Sequence, residues 1–291
     1  MKYFTSAILL LITASIAVTV DAIVTGTYFD RIVFVIFENT AYGTAAALPY
    51  MQDLTTRSNG LLLSNYFAIG HPSQPNYIAT IYGSTAGITD DNSHNVAGNN
   101  LVDLLEAKNV SWKAYMENYP GNCFTGTFAP SGTDLYARKH DPFISMNDIR
   151  QNSARCAKIV PLTQLDTDIT NNAVPQYVYV VPNQNDDGHD TNATYAIQTW
   201  FKNWLEPKLL QPAFTTNTLI FYTWDEDDNT GNNHVFAGLL GTPVVPPSNH
   251  NDSTAYNHYS FLKTVEQNWN TGNLNRNDVG ATAFTQYLHH P

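Results

Sequence analysis

Four short segments hold most of the side chains in this chain that could do chemistry. "GHPSQPNY", from Gly70 to Tyr77, sets Ser73 between two prolines, with His71 before it and Asn76 after it. Glu38-Asn39 directly follows an apolar run. "PNQNDDGHD" carries Asn183, Asp186, Asp187, His189 and Asp190, and "WDEDD" carries Asp225, Glu226, Asp227 and Asp228. Carboxylates gathered at one place repel each other, and a hard divalent cation with oxygen ligands relieves that repulsion. Glu38, Asn39, Asp225 and Glu226 offer oxygens for one such ion. A serine hydroxyl is a poor nucleophile until a metal or a base activates it. Each segment alone also suits a plainer role: Asp and Asn form hydrated turns, and Ser73 can cap a helix. The Asp90-Asp91-Asn92 segment reads as an ordinary loop. His140, His250, His289 and His290 read as surface residues.

Chemistry at these segments requires elements that bring them together. Arg31–Phe37, Tyr177–Val181 and Thr218–Thr223 are rich in β-branched and aromatic residues without strict alternation. That pattern predicts strands covered on both faces, hence a mainly parallel sheet. Helices are predicted over Asn76–Tyr82, Asn99–Lys108, Ala193–Leu205 and His258–Trp269. Strands and helices in turn argue for an α/β domain. Each acidic segment follows one of the strands, and open parallel sheets bind ligands beyond the carboxyl ends of their strands. Convergence of three distant clusters therefore outweighs three unrelated turns. Residues 118–155, rich in Gly, Pro, Asn and polar side chains, read as a long excursion from the sheet. Trp112, Trp200 and Trp204 read as core.

The start of the chain sets the compartment. Lys2, the apolar run Ala7–Val20 and the small residues around Ala22 form the pattern of a cleavable signal peptide over 1–22. The run is short of the roughly 20 residues that span a bilayer, so no membrane anchor is expected. Residues 23–291 are then one secreted domain. Its two cysteines, Cys123 and Cys156, read as one disulfide, which would pin the excursion. Asn109, Asn192 and Asn251 begin acceptor triplets for N-glycans. A net charge of −11 shows no basic face for nucleic acid. An acidic protein acting on an anionic substrate needs local positive charge, and a metal ion supplies it.

"FVIFENTAYG", "GHPSQPNYIATIYGS", "FYTWDEDD" and "NHYSFLKTVEQNW" resemble the secreted phosphoesterase family, which includes fungal acid phosphatases and bacterial phospholipases C within the alkaline phosphatase superfamily. The resemblance runs from about Arg31 to about Trp269. It implies a central, mainly parallel sheet with helices on both faces. It implies a phosphoesterase using one divalent metal ion, with Ser73 as nucleophile and a phosphoserine intermediate; the compact chain, with no candidate for a large lipid-binding C-terminal domain, favours a phosphomonoesterase. Glu38, Asn39, Ser73, Asp225 and Glu226 match the metal positions, His71 and Asn76 the phosphate-holding ones. His189 and His234 match histidines near the leaving group. Two departures stand out: Glu226 where some relatives carry Asp, and Asn233 before His234 where bacterial relatives often carry Asp. The same site would serve a phospholipase C or another phosphodiesterase. A non-catalytic binding protein on a phosphatase scaffold is the reading outside enzymes.

Overall fold

The computed structural model describes residues 22–291, so the predicted signal peptide lies outside the described residues except for Ala22. Eight strands form the main sheet: β1 Arg31–Phe37, β2 Gly60–Leu63, β3 Trp112–Met116, β4 Ile159–Pro161, β5 Tyr177–Val181, β6 Thr218–Trp224, β7 Ala237–Leu240 and β8 Asn251–Asp252. Their spatial order is β8-β2-β7-β6-β1-β5-β3-β4. The five strands β6, β1, β5, β3 and β4 are parallel, and β7 runs against both of its neighbours.

Two of the three predicted strands match their observed bounds, and the third is one residue longer. All seven residues of β1 are buried, as expected of a strand covered on both faces. Phe34 shows why. Its ring stacks on Phe221 of β6 (5.2 Å) and on Phe261 of a helix (4.2 Å), and meets Tyr179 of β5 edge-on at 4.9 Å. Full burial of one such side chain contributes about 1.5–3 kcal/mol, so β1 anchors the position of whatever follows it.

The main helices are α1 Ser73–Tyr82, α2 Leu101–Ala107, α3 Lys202–Leu209 and α4 His258–Trp269. The helix predicted over Ala193–Leu205 begins with a π-helical segment, Tyr195–Phe201, and continues as α3. Trp112 is core, whereas Trp200 and Trp204 are partly buried and stack on each other at 5.5 Å. Cys123 and Cys156 are joined. Among the described residues no helix is long and apolar enough to cross a membrane.

Candidate active site

The order β6-β1-β5 makes the three acidic segments neighbours, and backbone hydrogen bonds beyond the strand ends lock them in register. Asp225 N donates to Phe37 O (2.9 Å), Glu38 N to Asp187 O (3.0 Å) and Thr40 N to Glu226 O (3.2 Å). Asn39 takes a left-handed backbone conformation, φ +49°, which asparagine tolerates better than most residues. That kink turns its amide back over the strand ends. Glu38, Asp187, Asp225 and Glu226 are all buried.

Helix α1 brings the serine. Pro72 occupies the N-cap and Pro75 lies in the first turn, where a missing N–H costs nothing. Gly83 ends the helix with φ +74°. Ser73 makes no capping hydrogen bond, so the plainer reading of it as a cap is corrected. Its hydroxyl, 1 % exposed as a residue, lies 2.9 Å from Glu38 Oε2 and 3.2 Å from Glu226 Oε1.

These residues fit a cation. The end of the Asn39 side-chain amide lies 3.0 Å and 3.2 Å from the same two carboxylate oxygens. Reversing the amide would make two hydrogen bonds there. The spacing also suits a cation held by the amide oxygen, because ligands at about 2.1 Å from an octahedral ion stand about 3.0 Å apart. Asp225 accepts Asn39 N on Oδ1 (3.3 Å), while its buried Oδ2 has no partner.

The electrostatics agree. Burial first, then neighbouring carboxylates, push the acids away from their charged form. Glu226 is raised to about 8 by burial and by Glu38. Asp187 and Asp225 are raised well above the usual carboxylate range by burial and by Glu38. Glu38 is raised by burial, with Lys139 opposing. Such a cluster holds its charge only with positive charge added.

The predicted substrate and proton-transfer residues fare differently. Asn76 has no free amide group for a ligand. Its Oδ1 accepts from Ile69 N (2.9 Å) and Gly70 N (3.2 Å), and its Nδ2 donates to Gly70 O (2.8 Å) and Pro72 O (3.3 Å). It braces the loop that carries Ser73. His71 sits 2.6 Å from Glu226 Oε2 and 3.2 Å from Asp227 Oδ1. Its ring is thus tied to the acids while the residue remains exposed. His189 is exposed at the mouth, with Nδ1 2.6 Å from Asp190 Oδ1 and Nε2 3.4 Å from Lys139 Nζ. His234 spends Nε2 on Ser64 O (3.0 Å), and its ring stacks on Tyr42 (4.2 Å) and Phe67 (4.9 Å).

Three residues outside the sequence-based set reach the site. His140, read as a surface residue, is 2 % exposed. It stacks on Tyr77 at 4.9 Å and brings Nε2 to 3.0 Å from Glu38 Oε1. The excursion therefore returns to the strand ends rather than staying outside. Lys139, beside it, pairs with Asp91 at 3.2 Å. Burial would lower its ammonium, but Glu38 and Asp91 outweigh that and raise it. Asp91 also accepts Gln74 N at 2.9 Å, so the loop read as ordinary braces the start of α1. A Lys-His pair followed by Asp-Pro, with Asp141 capping the helix Pro142–Ser145, was the available signal. His258, at the start of α4, fixes Asp225 by placing Nε2 2.6 Å from its carbonyl oxygen. Burial lowers this imidazole to about 4.

The profile of the phosphoesterase family matches residues 40–272. An acid phosphatase of Aspergillus fumigatus is 37% identical over 266 residues, 89% of this chain and 59% of that protein. A probable acid phosphatase of Kluyveromyces lactis is 37% identical over 269 residues, 90% of this chain and 63% of that protein. The chain thus spans about three-fifths of the length of these relatives. Among solved structures, a Vibrio parahaemolyticus protein of the alkaline phosphatase superfamily superposes with a TM-score of 0.58 at 10% identity, over 88% of this chain and 71% of that one. This likeness bears on the fold, which is of the alkaline phosphatase kind.

Proposed function

This chain belongs to the phosphoesterase family, and from that premise we propose that it is a secreted, metal-dependent phosphomonoesterase working through a phosphoserine. The observation that carries the reading is the Ser73 hydroxyl, 2.9 Å from Glu38 and 3.2 Å from Glu226, with the Asn39 amide beside the same acids. Glu38, Asn39, Ser73, Asp225 and Glu226 would hold one divalent ion. When bound, it would lower the pKa of the serine hydroxyl and offset phosphate charge.

The chain's own residues do the rest. Ser73 Oγ forms a bond to phosphorus as the bond to the leaving oxygen breaks, and its proton passes to solvent water, Glu38 and Glu226 being engaged as ligands. Lys139 holds the phosphoryl oxygens by charge. The leaving oxygen takes a proton from His189, which Asp190 orients. His234, its Nε2 engaged with a carbonyl, is set aside as the acid. His71 and Asn76 become positioning residues, the first for Glu226 and the second for the serine loop. Water then gives a proton to His189 as its oxygen bonds to phosphorus, the bond to Ser73 breaks, and the serine oxygen takes a proton back from solvent.

The test is hydrolysis of p-nitrophenyl phosphate by the purified protein. Ser73→Ala should remove turnover while the fold and thermal stability persist. Acid quenching of the unsubstituted protein should trap phosphate on Ser73, read by mass spectrometry of its peptide. Turnover in Ser73→Ala comparable with the parent would overturn the nucleophile. Exposed Asn109 and Asn192 suit the glycans of a secreted protein, whereas Asn251 pairs within the sheet and buries its amide oxygen.

A further inference from the structure

The loop between α1 and α2 walls an open cavity of about 640 Å³. Tyr82, Ser84, Thr89, Asp90, His94 and Arg276 supply most of its polar groups. Cavities of about 300–1,000 Å³ suit small molecules, and the chemistry at Ser73 uses none of these residues. Two chain neighbours nevertheless join the cavity to the catalytic groups. Asp91 accepts from Gln74 N (2.9 Å), next to the serine, and from Lys139 Nζ (3.2 Å). Asp90, one residue earlier, lines the cavity and lies 2.5 Å from His94 Nε2 through its Oδ1. Arg138, one residue before Lys139, gives Nη2 to His94 O (3.1 Å) and to Asn95 Oδ1 (2.7 Å). Tyr82 is the last of the ten residues of α1, which puts it roughly 14 Å from Ser73. The cavity therefore runs beside α1, with one end next to the lysine assigned to the phosphoryl oxygens.

Its lining selects a class of ligand. Asp90 and Arg276 contribute one charge of each sign, so the walls exert little net pull on an ion. Arg276 is also held in place: Nη1 donates to Tyr82 O (2.8 Å) and Asn99 O (2.9 Å), and its guanidinium lies 3.5 Å from the Tyr82 ring centre. Ile88 and Val96, the larger aliphatic residues of the wall, are only 7 % and 6 % exposed, so an alkyl chain finds little to bury against. Hydroxyl groups both donate and accept. They can give to the Asp90 carboxylate, take from Arg276 and do both with Ser84 and Thr89. We propose that the cavity receives the alcohol part of the substrate, and that this alcohol is uncharged and rich in hydroxyls, of hexose size, with Asp90 determining the preference. This rests on the phosphomonoesterase reading of Ser73.

Steady-state kinetics of the purified full chain with glucose 6-phosphate and with p-nitrophenyl phosphate, which has no hydroxyls to place in the cavity, tests it. Asp90→Ala removes the acceptor, and Thr89→Trp fills the space while leaving Asp90 in place. Each should raise KM for glucose 6-phosphate about tenfold and leave both constants for p-nitrophenyl phosphate within about twofold. Titration calorimetry on Ser73→Ala, which does not turn over, should show glucose 6-phosphate binding about tenfold tighter than inorganic phosphate. Adding Asp90→Ala should erase that advantage. Equal losses on both substrates, an unchanged KM for glucose 6-phosphate in both variants, or glucose 6-phosphate held no tighter than inorganic phosphate would overturn the proposal for the cavity. Hydrolysis of p-nitrophenyl phosphate that Ser73→Ala abolishes would leave the phosphomonoesterase reading standing in each of those cases. No turnover of either ester and no binding of either ligand overturns both.

Discussion

Replacing Glu226 by glutamine should have opposite effects on stability with and without metal. Glu226 Oε1 and Glu38 Oε2 both touch the Ser73 hydroxyl, so they stand no more than about 6 Å apart. Two full charges at that separation repel by about 3 kcal/mol at an effective dielectric of 20. In the chelated protein the fold avoids this by keeping Glu226 protonated, its carboxyl being raised to about 8 by burial and Glu38. The folded pKa lies above the unfolded one, so the folded state binds more protons. Stability therefore falls as pH rises from about 4.5 through about 8. Near pH 9 in EDTA, Glu226→Gln should melt higher than the parent by up to about 6–12 °C, at roughly 2–4 °C per kcal/mol. With a divalent ion at about 1,000 times its dissociation constant, the parent gains about 4.1 kcal/mol, more than its deficit of about 3 kcal/mol, and the variant gains much less, so the order reverses. Thermal melts under the two conditions read both signs. A chelated Glu226→Gln that melts below the chelated parent at pH 9 would refute the crowding of these acids.

Four further outcomes follow from particular contacts. Glu266 on α4 is buried beside Asp278, and burial and Asp278 raise it to about 8. Its penalty likewise grows as pH rises from about 4.5 to about 8, so Glu266→Gln should raise the melting temperature at pH 8 and leave it unchanged at pH 4. Lys139→Met should weaken substrate binding, raising KM for p-nitrophenyl phosphate about tenfold, as expected for a lost charge-assisted contact of about 1.4 kcal/mol; an unchanged KM would remove Lys139 from the phosphate site. His234→Gln should leave kcat within about threefold of the parent, because its nitrogen serves Ser64, whereas His189→Asn should slow substrates with poor leaving groups more than p-nitrophenyl phosphate.

Local pattern carried the strands and the acidic segments. β1 and β5 read correctly to the residue because unbroken β-branched and aromatic runs have few other uses. Glu38, Asp225 and Glu226 were legible because they end such runs. The roles of single polar residues were not. Ser73 resembles a cap in sequence, and only the position of α1 against β1 shows its hydroxyl turned to Glu38. Asn76 looks available beside a nucleophile, yet the turn at Gly70 and Pro72 consumes its amide. His140 and Lys139 stayed hidden because the excursion has no periodicity to place it. Their arrival at the strand ends is decided by the stack on Tyr77 and the contacts to Glu38 and Asp91, which are tertiary.

The same geometry links stability to function. Parallel strands place the residues that follow them side by side, and the backbone bonds at Phe37, Asp187 and Glu226 leave those residues little freedom to separate. Four buried acids are therefore imposed by topology rather than chosen one at a time. Their mutual repulsion is tolerated because β1 is held by aromatic packing on both faces, centred on Phe34. A fold that keeps such acids together without enough positive charge is strained toward anything that supplies it, whether proton, cation or the nearby Lys139. On this argument, metal binding should change the site's charge more than its shape. Hydrogen exchange should then show slowed opening in the loops after β1, β5 and β6 on adding metal, and little change in the strands themselves.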